Sequence, residues 1–213
     1  MSVREAQKNT RRRAILDAAR SLILEGKDRD FSMLTLAETA GVSLVTPYNL
    51  FGSKSSILLE IVREDIFERI AHVEKLASDS LAEWVAALSA TLAEIYYRNR
   101  HFYRRMIVTL VAQQNADTQR ASLEFSYRIF ENALKHLQAR GILPDTVPVD
   151  LLARQCAHSV SGSLQQRLMQ RGTEALLCRE IELGLLFLLA GICADADRQM
   201  LRDRINALAK LPI

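Results

Sequence analysis

"TLAETAGVSLVTPYNLFGSK", Thr35 to Lys54, is the stretch whose reading decides the fold. Thr35 stands where it can cap a helix while Glu38 reaches back toward it, the reciprocal capping-box arrangement. That helix is five residues long at most and stops at Gly41, which supplies the left-handed backbone a sharp turn needs. Val42 is the apolar plug of the turn, and Ser43 caps a second short helix. Gly52 ends that helix, and Ser53 or Ser55 starts a long one, "ILLEIVREDIFERIAHVEKL".

Upstream lies "RRRAILDAARSLILEGK", with Ile15, Ala18, Ala19, Leu22 and Ile23 on one face of an amphipathic helix. A longer helix followed by two short ones across a glycine turn is a helix-turn-helix. Such a unit buries little by itself, and its second short helix is free to enter a major groove.

The residue types on that second helix fit nucleic acid. Leu44 and Val45 occupy its first turn, where an apolar side chain can meet a thymine methyl. Thr46, Tyr48 and Lys54 are hydroxyl and ammonium donors suited to phosphate oxygens. The helix starts after Thr35, Ser43 and Ser53 add backbone N–H groups and positive dipole ends. Pro47 falls near the start of its helix, where a proline is still tolerated, and it stiffens the first turn.

The arginines Arg11–Arg13 have two readings. If Thr10 caps their helix, three cations crowd its positive end, which costs ~0.3–1 kcal/mol each and which a phosphate backbone relieves. Arg12 is then a candidate DNA contact. Alternatively the helix starts earlier, at "SVRE", and the arginines lie on a solvated flank.

Taken whole, the string resembles the DNA-binding domain of the TetR family of bacterial transcriptional regulators, over roughly residues 10–60. The resemblance implies phosphate contacts from Thr35, Thr46, Tyr48 and Lys54. It implies base-edge or groove contacts from Ser43, Leu44, Val45 and Asn49, with Phe51, Val42 and Ala37 as core of the small domain. Two positions depart from the family pattern: Pro47 stands where Leu or Ile is commoner, and Leu50 where Tyr or His often meets a phosphate. The second departure removes a donor, so phosphate contacts are fewer or shift to Asn49.

The whole chain suits a helical protein. Its 213 residues are 49% hydrophobic and 25% charged, with only eight glycines and four prolines, a composition foreign to disorder. Apolar residues recur at three and four almost throughout, with no convincing alternating strand. The net charge is only +3, but its distribution is uneven. Residues 1–55 hold nine Lys/Arg against six Asp/Glu, and residues 56–213 hold nineteen of each. A basic excess confined to the front quarter points to a polyanion. Cys156, Cys178 and Cys193 are odd in number and sit in apolar helical contexts, which reads as reduced, buried thiols in the cytoplasm. The longest apolar run, Leu183–Ala194, is far short of the roughly twenty residues a membrane span needs.

The remaining motifs are weaker. His72, His101, His136 and His158 do not form a metal-ligand set, no catalytic arrangement is legible, and no cofactor is implied. Trp84, Tyr97, Phe102, Tyr103, Met106 and Phe130 lie on the central helices as candidate lining of a small-molecule cavity, although such side chains also serve as plain core. Two late helices, near 151–171 and 174–193, carry Ser161, Gly162, Gly184 and Gly191. Glycine within a helix costs about 1 kcal/mol relative to alanine, so its repeated use suggests close helix–helix approach. The second of these helices is apolar nearly all round and must be buried on several sides. Pairing both with their copies in a four-helix bundle would do this.

The expected fold is therefore all-α: a helix-turn-helix domain over 1–55 and a larger helical effector-binding and dimerisation domain over 56–213. The expected function is a non-enzymatic, ligand-responsive regulator. It binds double-stranded DNA as a homodimer on a palindromic operator, acts as a repressor, and is released by a small-molecule effector. The alternative is a ligand-binding or interaction protein whose DNA-binding domain is degenerate.

Overall fold

The computed structural model describes residues 2–25, 31–75, 80–104, 108, 116–170, 172–193 and 195–211. Its secondary structure there is helical, with no strand among the described residues. The elements are α1 (Val3–Glu25), α2 (Met33–Thr39), α3 (Val45–Phe51), α4 (Lys54–Lys75), α5 (Leu81–Arg98), α6 (Ala116–Ala139), α7 (Val149–Met169), α8 (Glu174–Ala190) and α9 (Asp195–Ala209). They group into two compact units, one of residues 1–65 with 101–119, the other of 66–100 with 120–213.

In the first unit, α1, α2 and α3 pack on one another. Ile15, Ala18, Ala19 and Ile23 of α1 are buried as their spacing predicts, with Leu22 half-buried; Leu16 is buried too, as are Leu36 and Ala37 of α2 and Ile57, Leu58 and Ile61 of α4. Gly41 has φ 65° and Gly52 φ 79°, so both short helices end in the left-handed region that glycine enters without a Cβ penalty. Behind Gly41 the Val42 amide donates to the Ala37 carbonyl at 3.0 Å, closing α2.

Two helix starts differ from expectation, and a third decides between the two readings of the arginine run in favour of the earlier start at "SVRE". Helix α1 begins at Val3, with Thr10 well inside it and its hydroxyl bonded back to the Ala6 carbonyl at 3.0 Å. Its cap is Ser2, whose hydroxyl accepts from the Glu5 amide while Glu5 accepts from the Ser2 amide, a capping box in "SVRE". Helix α2 is capped by Ser32, not Thr35: the Ser32 hydroxyl accepts from the Thr35 amide at 3.0 Å. Ser43 makes no side-chain bond to a backbone amide, because its hydroxyl pairs with that of Thr46 at 2.8 Å. Ser53 does cap α4, accepting from the Ser56 amide at 3.1 Å.

In the second unit α8 is the central element, packed on α5, α7 and α9. Leu177, Ile181, Leu185, Leu186 and Leu189 are wholly buried, as a helix apolar on several sides requires. Buried among them is Glu182, whose carboxylate accepts from Arg204 of α9 at 2.6 and 3.1 Å. Gly184 lets α8 approach α7: a Cβ there would collide with the Ser159 hydroxyl. Gly162 and Gly191 face open space, so of these three described glycines Gly184 alone marks a close approach within one chain. The turn after α6 is fixed by Gln138, whose amide donates to the carbonyls of Pro144 and Val147 at 3.0 and 3.1 Å.

Candidate nucleic-acid interface

Helix α3 owes its orientation to a division between its faces. Pro47 is buried, and Leu50 and Phe51 are half-buried, so these residues hold the helix down. Around them α3 and the residue that starts it leave apolar side chains in the open: Leu44 is 43% exposed, Val45 60% and Tyr48 49%. Ser43 and Asn49 are exposed, Thr46 is half-buried, and Thr35 is exposed on α2. A buried proline under an exposed Leu-Val-Tyr set inverts the usual economy of a surface helix. The surface presents methyl groups, hydroxyls and one amide, the chemistry that base edges and phosphates accept.

Two expected contacts take a different course. Lys54 is buried; its ammonium donates to the Phe31 carbonyl at 2.6 Å and sits 4.0 Å from the centre of the Phe31 ring. The phosphate contact expected of its side chain is therefore corrected: Lys54 ties the start of α4 to the segment before α2. Arg12 likewise turns inward. Its guanidinium donates to the Leu50 carbonyl and to Glu60, each at 3.0 Å, and stacks 4.4 Å over the Phe51 ring. A planar fork serves two acceptors and a ring at once, which explains why it is consumed inside the protein.

The neighbouring arginines extend that pattern along α4. Arg13 pairs with Asp17 and Glu64, at 3.5 and 3.4 Å. Arg20 reaches Asp65 at 2.7 Å and Glu64 at 3.2 Å. Burial works against the Arg20 charge, yet the Asp65 hydrogen bond and charge, with Glu64 behind them, raise its pKa above the ordinary value. Asp65 also accepts from the Tyr103 hydroxyl at 2.8 Å. The acidic residues of α4 thus anchor α1, and sequence reasoning missed them because their partners lie far along the chain.

Sequence reasoning singled out Arg11 within the Arg11–Arg13 run and missed Arg4 and Lys8 beside it. Arg4, Lys8 and Arg11 are exposed, lie at i, i+4 and i+7 on one helix face, and have no acidic partner among the described residues. Together with Glu5 of α1 and Thr46 and Asn49 of α3 they line an open trough of about 760 Å³. The basic spacing and the "SVRE" start were the signal that could have found it.

The aromatic residues expected at a ligand cavity fall in both units. Trp84 and Phe130 are buried and Tyr97 half-buried in the second unit. Phe102 and Tyr103 are buried in the first, their rings edge to face at 5.3 Å. Met106 lies outside the described residues.

No protein-family model matches the chain. It is 27% identical over 139 residues to the HTH-type transcriptional regulator BetI of Rhizobium meliloti, an alignment covering 61% of this chain and 65% of that protein, just under two thirds of its length. Among solved structures it is similar to Thermus thermophilus FadR, a TetR-family transcriptional repressor in complex with lauroyl-CoA. The TM-score is 0.71 at 23% identity, over 86% of this chain and 95% of that one. A TetR transcriptional regulator from Rhodococcus sp. RHA1 gives 0.68 at 21% identity, over 86% and 97%. Likeness at these identities is likeness of fold, and with it the chain is placed: it has the fold of the TetR family of transcriptional regulators.

Proposed function

We propose that the chain is a DNA-binding transcriptional regulator, a repressor that sits on a palindromic operator as a homodimer and leaves it when a small molecule binds. The observation that carries this reading is the exposed Leu44–Val45–Tyr48 face of α3 above a buried Pro47. Residues 1–55 form the reading head, with Ser43, Leu44, Val45 and Asn49 toward base edges and Thr35, Thr46 and Tyr48 toward phosphates. Residues 56–213 supply dimerisation and the effector site, and the protein works in the cytoplasm beside the operator.

The dimer surface is the outer face of α7 and α8. Leu151 on α7 is 58% exposed and Phe187 on α8 is 62% exposed, although the leucines and isoleucine of α8 are buried or half-buried. Pairing these faces about a two-fold axis buries them and presents two α3 helices to two half-sites. For the effector, Ser89 of α5 is fully buried with no partner for its hydroxyl among the described residues, which suits a polar ligand atom or a water within reach. The likeness to a repressor solved with lauroyl-CoA supports a small-molecule site in the second unit.

Selection of bound fragments from random duplexes, with affinity then measured against salt, tests this reading. The expected result is an enriched inverted repeat whose binding weakens steeply as salt rises. Recovery of no enriched sequence together with a flat salt response would instead favour a ligand-binding protein with a degenerate reading head.

A further inference from the structure

Arg4, Lys8 and Arg11 have no role in holding the fold. The first buried residue of α1 is Ile15, so the helix runs some three turns beyond the core before reaching Ser2. An exposed helical extension gains almost nothing from packing, and most helical stability comes from packing. Farther along, Arg12, Arg13 and Arg20 are all paired with carboxylates of α1 or α4. The outer three cations have none. Glu5, the one acid in their trough, is engaged with the Ser2 amide at the helix start.

We infer that the outer turns of α1 form a second phosphate-binding surface, a rail that carries the DNA backbone flanking the groove occupied by α3. This rests on the reading of α3 as the groove-entering helix. The two walls of the trough argue for that occupant. One wall is a row of cations at helical spacing, the other the Thr46 hydroxyl and Asn49 amide of α3 itself. A backbone strand leaving the groove beside Thr46 and Asn49 therefore passes directly over Arg11, Lys8 and Arg4. Small-molecule pockets are enclosed; this trough is open and carries three cations along one side, which suits an extended polyanion. Sequence discrimination stays with α3, because phosphate contacts set position and affinity without reading bases.

The test compares the full-length protein with its Arg4→Gln/Lys8→Gln/Arg11→Gln variant on the selected operator and on an unrelated duplex. Affinity is followed by fluorescence anisotropy across salt concentrations. Each lost phosphate contact lowers the slope of log K against log salt by about 0.9, so three contacts remove up to about 2.7 per protomer. Affinity falls on both duplexes alike, the preferred sequence stays the same, and hydroxyl-radical footprints lose the outermost protected positions of each half-site. Arg4→Lys/Arg11→Lys keeps the slope, since a point charge suffices. The melting temperature stays that of the parent; should the triple variant fail to fold, Arg4→Gln alone gives the same reading with about a third of the change. A parent that binds steeply with salt beside a variant of equal slope overturns the rail and leaves the α3 reading standing. A parent that binds no duplex overturns both.

Discussion

Arg12 donates to the backbone carbonyl of Leu50, thirty-eight residues away in sequence, at 3.0 Å. Leu50 lies in the last turn of α3, where helix carbonyls have no intrahelical donor. The guanidinium fills that vacancy while its other arm holds Glu60 of α4. The end of α3 is therefore fixed from the side by α1, and its angle to α4 is fixed by the same side chain.

Removing that fork should loosen the head without touching its surface. Arg12→Gln is expected to lower stability by ~1.5–3 kcal/mol, the range for hydrogen bonds to a charged group, seen as a lower urea midpoint. Affinity falls on every duplex with no change of preferred sequence. Arg12→Lys restores only part, because an ammonium cannot span both acceptors in the plane over Phe51. A parental urea midpoint for Arg12→Gln would show that the tether contributes nothing.

On the exposed face the opposite pattern is expected. Leu44→Ala and Val45→Ala should stay within about 0.5 kcal/mol of the parent in stability, as surface substitutions do. They should flatten discrimination at one or two operator positions, where a mismatch otherwise costs ~1–3 kcal/mol. Tyr48→Phe should weaken all duplexes equally. Competition binding with single-base operator variants separates these outcomes, and an unchanged ranking for Val45→Ala would remove it from the groove.

Dimerisation is tested at Phe187. A charge placed there meets its own copy across a two-fold axis, so Phe187→Glu is expected to give monomers by sedimentation at concentrations where the parent is dimeric. With each head binding alone, operator affinity drops by roughly 10²–10⁴, the usual worth of linking two sites. A dimeric Phe187→Glu would place the interface elsewhere.

The thiols give a pH prediction. Burial pushes Cys156 from its usual 9.0 up to about 12, and burial likewise raises Cys178 and Cys193. A folded pKa above the unfolded one means the unfolded chain loses this proton first. The contribution of Cys156 is then complete below about pH 9 and is lost as pH rises toward about 12. The stability lead of the parent over Cys156→Ala, measured by urea unfolding, should shrink across that alkaline window and nowhere below it. At pH 8 Cys156 should also be the slowest of the three thiols to react with a disulfide reagent.

What the sequence by itself determined were the features that depend on neighbours along the chain. Gly41 and Gly52 end α2 and α3 because only a residue without Cβ turns left there freely, and Ser53 starts α4 because its hydroxyl lies three residues from an orphan amide. Helical spacing likewise placed Ile15, Ala19 and Ile23 inside and left Val45 and Tyr48 without a core to join. Only the tertiary structure decided which cations face outward. Lys54 and Arg12 sit among donors suited to phosphate, yet their acceptors come from Phe31, twenty-three residues back, and from Glu60, forty-eight residues on. An ion pair or a carbonyl clasp is chosen by three-dimensional proximity and desolvation, to which local pattern is blind. Spacing alone puts Arg4, Lys8 and Arg11 on one helix face, but that Arg12, Arg13 and Arg20 are paired with carboxylates while those three stay exposed is decided by the folded chain.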